Sequence, residues 1–285
     1  MSTMDGRAEA PAAGTVLNAL ATGTGSAFAI DEYVRASVSL GGTNVTGTVA
    51  EAPDADTRLI ERVAELIIAE YGDGQGATVE TDSTVPMAAG LKSSSAAANA
   101  VALATLDALD ATEAVTRERA ARIGVEAARD AGVTVTGAFD DASASMLGGV
   151  TVTDNDEDAL LVRDEVDWDV VTWTPPEQAF SADADVDRCR KIAPMADLVA
   201  ELALAGRYRT AMTVNGFAFA AALDRPAGPM VEVLPAAAGV SLSGTGPSYV
   251  AVGDRDALEA VVDEWADRPG TIMETTTQTA GARPI

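Results

Sequence analysis

Strand-like and helix-like segments alternate through both halves of this 285-residue chain, and that alternation restricts its fold more than any other feature. Segments rich in Ala, Val and Ile predict strands, whereas apolar side chains repeated at helical spacing predict helices. The alternation indicates a two-domain α/β or α+β protein, with domains 1–155 and 156–285 divided at an acidic turn. The predicted strands are 14–19, 27–40, 77–81, 150–153, 170–174, 241–243, 249–252 and 271–277, and the predicted helices are 57–71, 94–109, 116–131, 191–205, 210–223 and 256–267.

The chain is strongly acidic, with 44 Asp and Glu against 19 Lys and Arg and a net charge of −25. A surface of this sign repels phosphate backbones, so we expect no nucleic-acid partner. The scarcity of lysine, only Lys92 and Lys191, is typical of a halophile's protein when combined with many alanines. Molar salt shortens the Debye length to about 3 Å and screens the self-repulsion. An ordinary acidic mesophilic protein is the alternative.

Two residue counts narrow the possible chemistry. The absence of histidine excludes Ser-His-Asp and Cys-His catalysis and most zinc sites. The single cysteine, Cys189, cannot form an internal disulfide and fits a reducing compartment.

No apolar run reaches the roughly 18–20 residues that span a bilayer, and the N-terminus lacks signal-peptide character. We therefore expect a cytoplasmic protein without a membrane partner.

The segment from residue 86 to residue 98 predicts a phosphate-binding loop at a helix N-terminus. Small residues let the backbone approach a ligand closely, and the free N–H groups of a helix N-terminus suit phosphate oxygens. Serine hydroxyls at that position suit Mg²⁺, although the order of residues is not that of a Walker loop. A serine-capped helix without a ligand is the alternative. The candidates are Pro86, Met87, Ala88, Ala89, Gly90, Leu91, Lys92, Ser93, Ser94, Ser95 and Ala96.

Two adjacent carboxylates, Asp140 and Asp141, interrupt a run of small and apolar residues. Buried carboxylates are costly unless they have a partner or a task, so the pair indicates function, and a solvent-facing turn is the alternative. A later turn, Ser243, Gly244, Thr245 and Gly246, can offer backbone N–H groups to phosphate or simply close a hairpin. Arg188 and Arg190 belong to a local cluster of positive charge that either binds an anionic substrate or offsets neighbouring aspartates.

In chain order, these segments resemble the motifs of the GHMP kinases, which include galactokinase, homoserine kinase and mevalonate kinase. The phosphate loop of that superfamily reads P-x-x-x-G-L-G-S-S-A. The residues that fall on it are Pro86, Gly90, Leu91, Ser93 and Ser94. Lys92 replaces the third glycine, and this departure, together with T-G-A-F-D-D-A around Asp140, is similar to the archaeal shikimate kinase branch.

The resemblance implies a two-domain α+β fold with mixed sheets and with ATP at the helix N-terminus. It implies phosphorylation of the shikimate 3-hydroxyl in aromatic amino-acid biosynthesis, with ATP and Mg²⁺ as cofactors and the small molecules ATP and shikimate as substrates. Another acceptor, such as homoserine or mevalonate, and a noncatalytic ligand-binding module are the alternatives.

The resemblance also implies roles for individual residues. Asp140 matches the proposed base, and Lys92 is expected to contact a phosphate. For Mg²⁺, it implies Ser94 and a helical glutamate, for which Glu126 is the candidate and Glu118 and Asp130 are rivals. The substrate candidates are Asp31, Asp141, Arg188 and Arg190.

Overall fold

The structure, a computed structural model, describes residues 5–85, 89–134, 137–177 and 184–285. Within those ranges, two β-sheets of seven and four strands are packed with helices, which confirms the predicted α+β class. The helices are α1 (Arg58–Tyr71), α2 (Ser93–Ala108), α3 (Arg117–Ala131), α4 (Phe139–Leu147), α5 (Val186–Arg190), α6 (Ala193–Leu204), α7 (Tyr208–Ala222), α8 (Gly228–Val233) and α9 (Arg255–Ala266), with a short 3₁₀ turn at Thr112–Ala114.

The seven-stranded sheet is organised around two long antiparallel strands, β1 and β2. Because β2 has 17 residues, it pairs with β5 along its first part and with β4 along its last part. β3 runs parallel to β4, β6 extends the sheet from β5, and β11 pairs with β1. The strands are β1 (Asp5–Leu17), β2 (Thr24–Leu40), β3 (Val45–Val49), β4 (Ala77–Ser83), β5 (Val150–Asp154), β6 (Ala159–Asp164) and β11 (Arg283–Pro284).

The alanine-rich helix α2 is buried against this sheet and beside α1 and α3. Small side chains permit this close packing: a Cβ added at Gly6 of β1 would lie 2.1 Å from the carbonyl oxygen of Ala104 in α2. Thr116 accepts a hydrogen bond from the Arg119 N–H and caps α3, and Gly132 ends that helix with φ +69°. The observed helix agrees with the predicted helix 116–131 to within one residue.

The four-stranded sheet has the order β10-β7-β9-β8 and is antiparallel throughout. An apolar cluster that includes Phe28, Val199 and Phe219 joins α6 and α7 to the first sheet. A second cluster around Trp265 and Met230 packs α8 and α9 against the four-stranded sheet. The strands of the four-stranded sheet are β7 (Asp169–Thr174), β8 (Gly239–Leu242), β9 (Tyr249–Gly253) and β10 (Thr271–Thr276).

The predicted division at residue 155 falls in the turn between β5 and β6. Both strands of that hairpin, and also β11 at the C-terminus, belong to the seven-stranded sheet. Residues on both sides of the predicted boundary therefore build one sheet. In the described part of the chain, each helix is too short or too polar to span a membrane.

Candidate active site

The predicted phosphate loop packs against the predicted glycine-rich turn. The hydroxyl of Ser243 donates a 2.8 Å hydrogen bond to the Gly90 carbonyl, and the Ser248 N–H donates to the carbonyl of Ala89 at 3.3 Å. Gly90 has φ +81°, and a Cβ there would lie 2.4 Å from the Ser243 carbonyl oxygen. Only glycine allows this approach, so two segments 153 residues apart in sequence share one site.

Lys92 immediately precedes α2 and has a left-handed backbone with φ +65°. The Lys92 side chain makes no capping hydrogen bond to the helix, whose first turn is formed by Ser93, Ser94 and Ser95. Ser94 is exposed and its two serine neighbours are half-buried, whereas Ala96 is buried. Backbone N–H groups and a hydroxyl are therefore presented together at this helix N-terminus, the arrangement that suits phosphate and its bound cation. Pro86, Met87 and Ala88 lie outside the described residues.

Buried polar side chains that sequence reasoning missed hold the glycine-rich turn in place. The Gly244 N–H donates to the Thr15 hydroxyl at 2.8 Å, and the Asn18 amide donates to the Gly244 carbonyl at 3.0 Å. Asn215 of α7 in turn accepts from the Asn18 N–H at 3.0 Å. Polar residues within apolar segments were the available signal, since buried amides need hydrogen-bond partners.

The Asp140 carboxylate lies in the first turn of α4 and is only 5% exposed. The Asn155 amide donates to Asp140 Oδ1 at 2.8 Å, and Asn155 Oδ1 accepts from the Asp140 N–H at 3.1 Å. The Thr153 hydroxyl donates to Asn155 Oδ1 at 2.7 Å and fixes the amide. Across the carboxylate lies the backbone of Gly25, where a Cβ would be 2.6 Å from Asp140 Oδ2. These contacts fix the position and orientation of the carboxylate.

Asp141 forms an ion pair with Lys92, whose ammonium lies 2.8 Å from Asp141 Oδ1. The two side chains are only 13% and 9% exposed, respectively. Burial, followed by the charge of Asp140, raises the pKa of the Asp141 carboxyl to about 7, although Lys92 acts in the opposite direction. The pair connects the phosphate loop with the start of α4.

The three predicted segments meet at a narrow cleft. One wall contains the carboxylates of α4, another the residue before α2, and a third the glycine-rich turn. The lining residues are Asn18, Ala19, Leu20, Lys92, Thr134, Ala138, Asp140, Asp141, Gly244 and Thr245. A carboxylate, an ammonium and a helix N-terminus around one cleft can bind a phosphate ester and accept a proton beside it.

Two sequence candidates, Asp31 and Glu126, are not among the residues that line this cleft. Asp31 is exposed and accepts a hydrogen bond from the Tyr33 hydroxyl at 2.8 Å. It lies six residues along β2 from Gly25, about 20 Å at the rise of a strand, and its role toward the substrate stays a prediction. Glu126 is an exposed residue of α3, although its neighbours Val125 and Ala127 are buried. Among the described residues, no group of three or more acidic or cysteine side chains is placed to hold a metal ion.

The arginine candidates lie on α5 and are exposed. Arg188 donates to the Ala221 carbonyl of α7 at 2.9 Å, and Arg190 pairs with Asp187 at 3.0 Å. These contacts satisfy part of the hydrogen-bonding capacity of each guanidinium. Their role toward a substrate stays a prediction.

Comparisons with known proteins agree with the geometry. The family described as GHMP kinases N terminal domain matches residues 58–149. A shikimate kinase of Halobacterium salinarum is 66% identical over 282 residues, which cover 98% of this chain and 99% of that protein. A shikimate kinase of Methanosarcina mazei is 46% identical over 285 residues, 98% of this chain and 97% of that protein. The crystal structure of homoserine kinase from Cytophaga hutchinsonii has the same fold, with a TM-score of 0.76, 18% identity and coverage of 100% and 98%.

Proposed function

The chain belongs to the shikimate kinases of the GHMP superfamily, and from that premise we propose that it phosphorylates the 3-hydroxyl of shikimate. ATP supplies the phosphoryl group, and the products are shikimate 3-phosphate, an intermediate of aromatic amino-acid biosynthesis, and ADP. The observation that carries the proposal is the position of Asp140, a buried carboxylate at the same cleft as the N-terminus of α2. Proton acceptor and phosphate site are therefore neighbours.

The phosphates of ATP are proposed to bind at the loop from Ala89 to Ser95. Uncapped N–H groups of α2 and the ammonium of Lys92 oppose their negative charge. The glycine-rich turn closes the other side through its contact with Gly90. Phosphoryl transfer needs little covalent help from a protein, so positioning and charge stabilisation form most of its task.

Mg²⁺ fits the donor set at this site. The exposed Ser94 hydroxyl at the start of α2 and the carboxylate of Asp140 are hard oxygen ligands of the kind that Mg²⁺ prefers. When bound with ATP, the ion neutralises charge on the phosphates. Ser94 is the ligand that we propose, and Glu126, which faces solvent on α3, has less support from the geometry.

Asp140 is proposed to accept the proton of the acceptor hydroxyl. The hydroxyl oxygen attacks the γ-phosphorus, the bond to the β-phosphate bridging oxygen breaks, and the electron pair of that bond leaves with ADP. Asn155 binds one carboxylate oxygen and the backbone N–H of Asp140, which keeps the base oriented during the transfer. Arg188 and Arg190 stay the proposed partners of the shikimate carboxylate, for which a guanidinium is the suitable bidentate donor.

We also propose that the protein works in the cytoplasm of a halophile. The net charge of −25 and the similarity to a Halobacterium salinarum protein support this setting. Both substrates are small molecules. An acceptor such as homoserine or mevalonate is a rival, as is a noncatalytic ligand-binding role, which would not require the buried carboxylate of Asp140.

The test is a coupled ADP-release assay in high KCl with MgATP, in which shikimate, homoserine and mevalonate are compared. We expect turnover with shikimate alone. Asp140→Asn should lower kcat by about 10²–10⁴-fold, the usual contribution of a positioned base, with ATP affinity changed less than about threefold. The matched control is Asp197→Asn, which changes an exposed residue of α6. Unchanged kcat in Asp140→Asn would remove Asp140 from the base role, and turnover with another acceptor would replace shikimate.

A further inference from the structure

The buried ion pair between Lys92 and Asp141 has a cost that the fold alone does not require. Both side chains are about nine-tenths buried, and the ammonium lies 2.8 Å from one carboxylate oxygen and 3.0 Å from the other. Removing two charges from water costs several kcal/mol per ion, and a well-packed apolar pair is often as stable. The pair also places a second carboxylate beside Asp140. Stability is therefore a poor explanation for its presence.

The position of the ammonium gives a better explanation. Lys92 has a left-handed backbone immediately before α2, and its side chain lies at the cleft and contacts Asp141 at the start of α4. The Lys92 ammonium lies 3.1 Å from the point where a Cβ of Gly244 would be, and it contacts Asp141 on α4. It therefore sits where the phosphate loop, the glycine-rich turn and the first turn of α4 meet.

We propose that Asp141 is a positioning residue that holds the ammonium of Lys92 over the path of the transferred phosphoryl group. Lys92 then neutralises charge that develops on the phosphoryl oxygens, and Asp141 acts only through Lys92. The inference rests on the proposed function and replaces the expectation that Asp141 binds the acceptor. A long lysine side chain loses much rotamer freedom when it is fixed, so a carboxylate that fixes it beforehand lowers the cost at the moment of reaction.

The two carboxylates of α4 have different partners, which separates their roles. Asp140 Oδ1 accepts a hydrogen bond from the neutral amide of Asn155 rather than from a cation. The Lys92 ammonium donates a hydrogen bond to Asp141 Oδ2 and lies 2.8 Å from Oδ1, so protonation of Asp141 would weaken the ion pair. The geometry thus assigns the base to Asp140 and the counter-charge to Asp141.

The test is a double-mutant cycle of Lys92→Met, Asp141→Asn and the combined variant. If Asp141 acts through Lys92, Asp141→Asn lowers kcat about tenfold in the parent protein but by less than about twofold when Lys92 is already Met. Lys92→Met alone lowers kcat about 10²–10³-fold, as expected for the loss of a charge that stabilises the transition state. The KM for shikimate stays within about threefold in each variant. Asp56→Asn, which breaks an exposed ion pair with Arg58, is the control and keeps full activity.

The proposal would be overturned if the two substitutions lowered kcat independently. It would also be overturned if Asp141→Asn raised the KM for shikimate tenfold or more in both backgrounds, a result that would return Asp141 to the acceptor site. The combined variant leaves neither charge unpaired, so its comparison with Lys92→Met decides the question even where Asp141→Asn alone does not fold. Titration with a nonhydrolysable ATP analogue separates two failures. Coupling between the effects of the two substitutions on the affinity for the analogue tests the Lys92–Asp141 pair without turnover. A parent protein that does not phosphorylate shikimate contradicts only the proposed function.

Discussion

Replacing Gly25 with alanine tests whether the backbone of β2 sets the position of the Asp140 carboxylate. A Cβ at position 25 would lie 2.6 Å from Cβ, Cγ and Oδ2 of Asp140. Non-bonded heavy atoms keep roughly 3.5–4 Å apart, so the carboxylate has to move by about 1 Å. A displacement of that size at a reacting group costs about 100-fold in rate. We therefore expect kcat to fall about 100-fold, equivalent to about 2.7 kcal/mol in the activation free energy.

The measurement is steady-state ADP release with shikimate as acceptor, together with thermal unfolding of the same samples. The KM for ATP should change less than about threefold, because the nearest atoms to the new methyl group all belong to Asp140. Gly228→Ala in α8 is the control, since a Cβ there meets only the Glu232 carboxylate at 3.7 Å. It should keep the parent values of kcat and of the unfolding temperature.

A second arm places Gly25→Ala in the Asp140→Asn background. If the methyl group acts by moving the base, it costs less than about threefold once the base is gone, because the two changes share one interaction. A full loss in both backgrounds would show that the methyl group disturbs something else. A parent-like kcat in Gly25→Ala would refute the idea that β2 positions Asp140.

Two further predictions concern the neighbours of the base. Asn155→Ala removes the amide that is hydrogen-bonded to Asp140 Oδ1 and to the Asp140 N–H. We therefore expect a loss of about 1–3 kcal/mol in the free energy of unfolding and a lower kcat. An unchanged urea denaturation curve would contradict this prediction. The pKa of Asp141 is about 7 in the folded protein and near 3.9 in an unfolded chain. The folded state therefore holds the extra proton between those values, so this carboxyl's contribution to stability declines as pH rises through that interval. Asp141→Asn should flatten that part of the stability curve, and parallel curves for the two proteins would contradict the assignment.

Segments with a strong local signal were predictable from the sequence. Apolar residues repeat at helical spacing in α1, and Thr116 and Gly132 mark the ends of α3, because capping is a local property of the chain. The start of α2 was predicted within one residue from its serines. The meeting of the phosphate loop with the glycine-rich turn followed from the resemblance, since no local pattern joins segments that are far apart in sequence.

The elements missed from the sequence lack such a signal. α4 follows Ala138, which has φ +55°, and most of its residues are buried, so it shows no polar face to reveal helical periodicity. Asn155, Asn18 and Asn215 look like ordinary loop or helix residues until the fold brings their partners to them. Asp31 is a substrate candidate through the resemblance alone, because no local pattern shows where its strand runs. In the structure, β2 is one long strand that carries Asp31 away from Gly25.

Close backbone approaches shape this site, and they explain why its geometry is sensitive to small changes. Gly25 leaves room for the Asp140 carboxylate, and Gly90 allows the phosphate loop to contact the Ser243 carbonyl. At both positions, the space that a side chain would need is occupied by a group of the site itself. A methyl group added at either position therefore has to move a base or a phosphate contact, because the surrounding core is close-packed and cannot yield instead. The Lys92–Asp141 pair then adds charge to a site whose dimensions these two glycines already set.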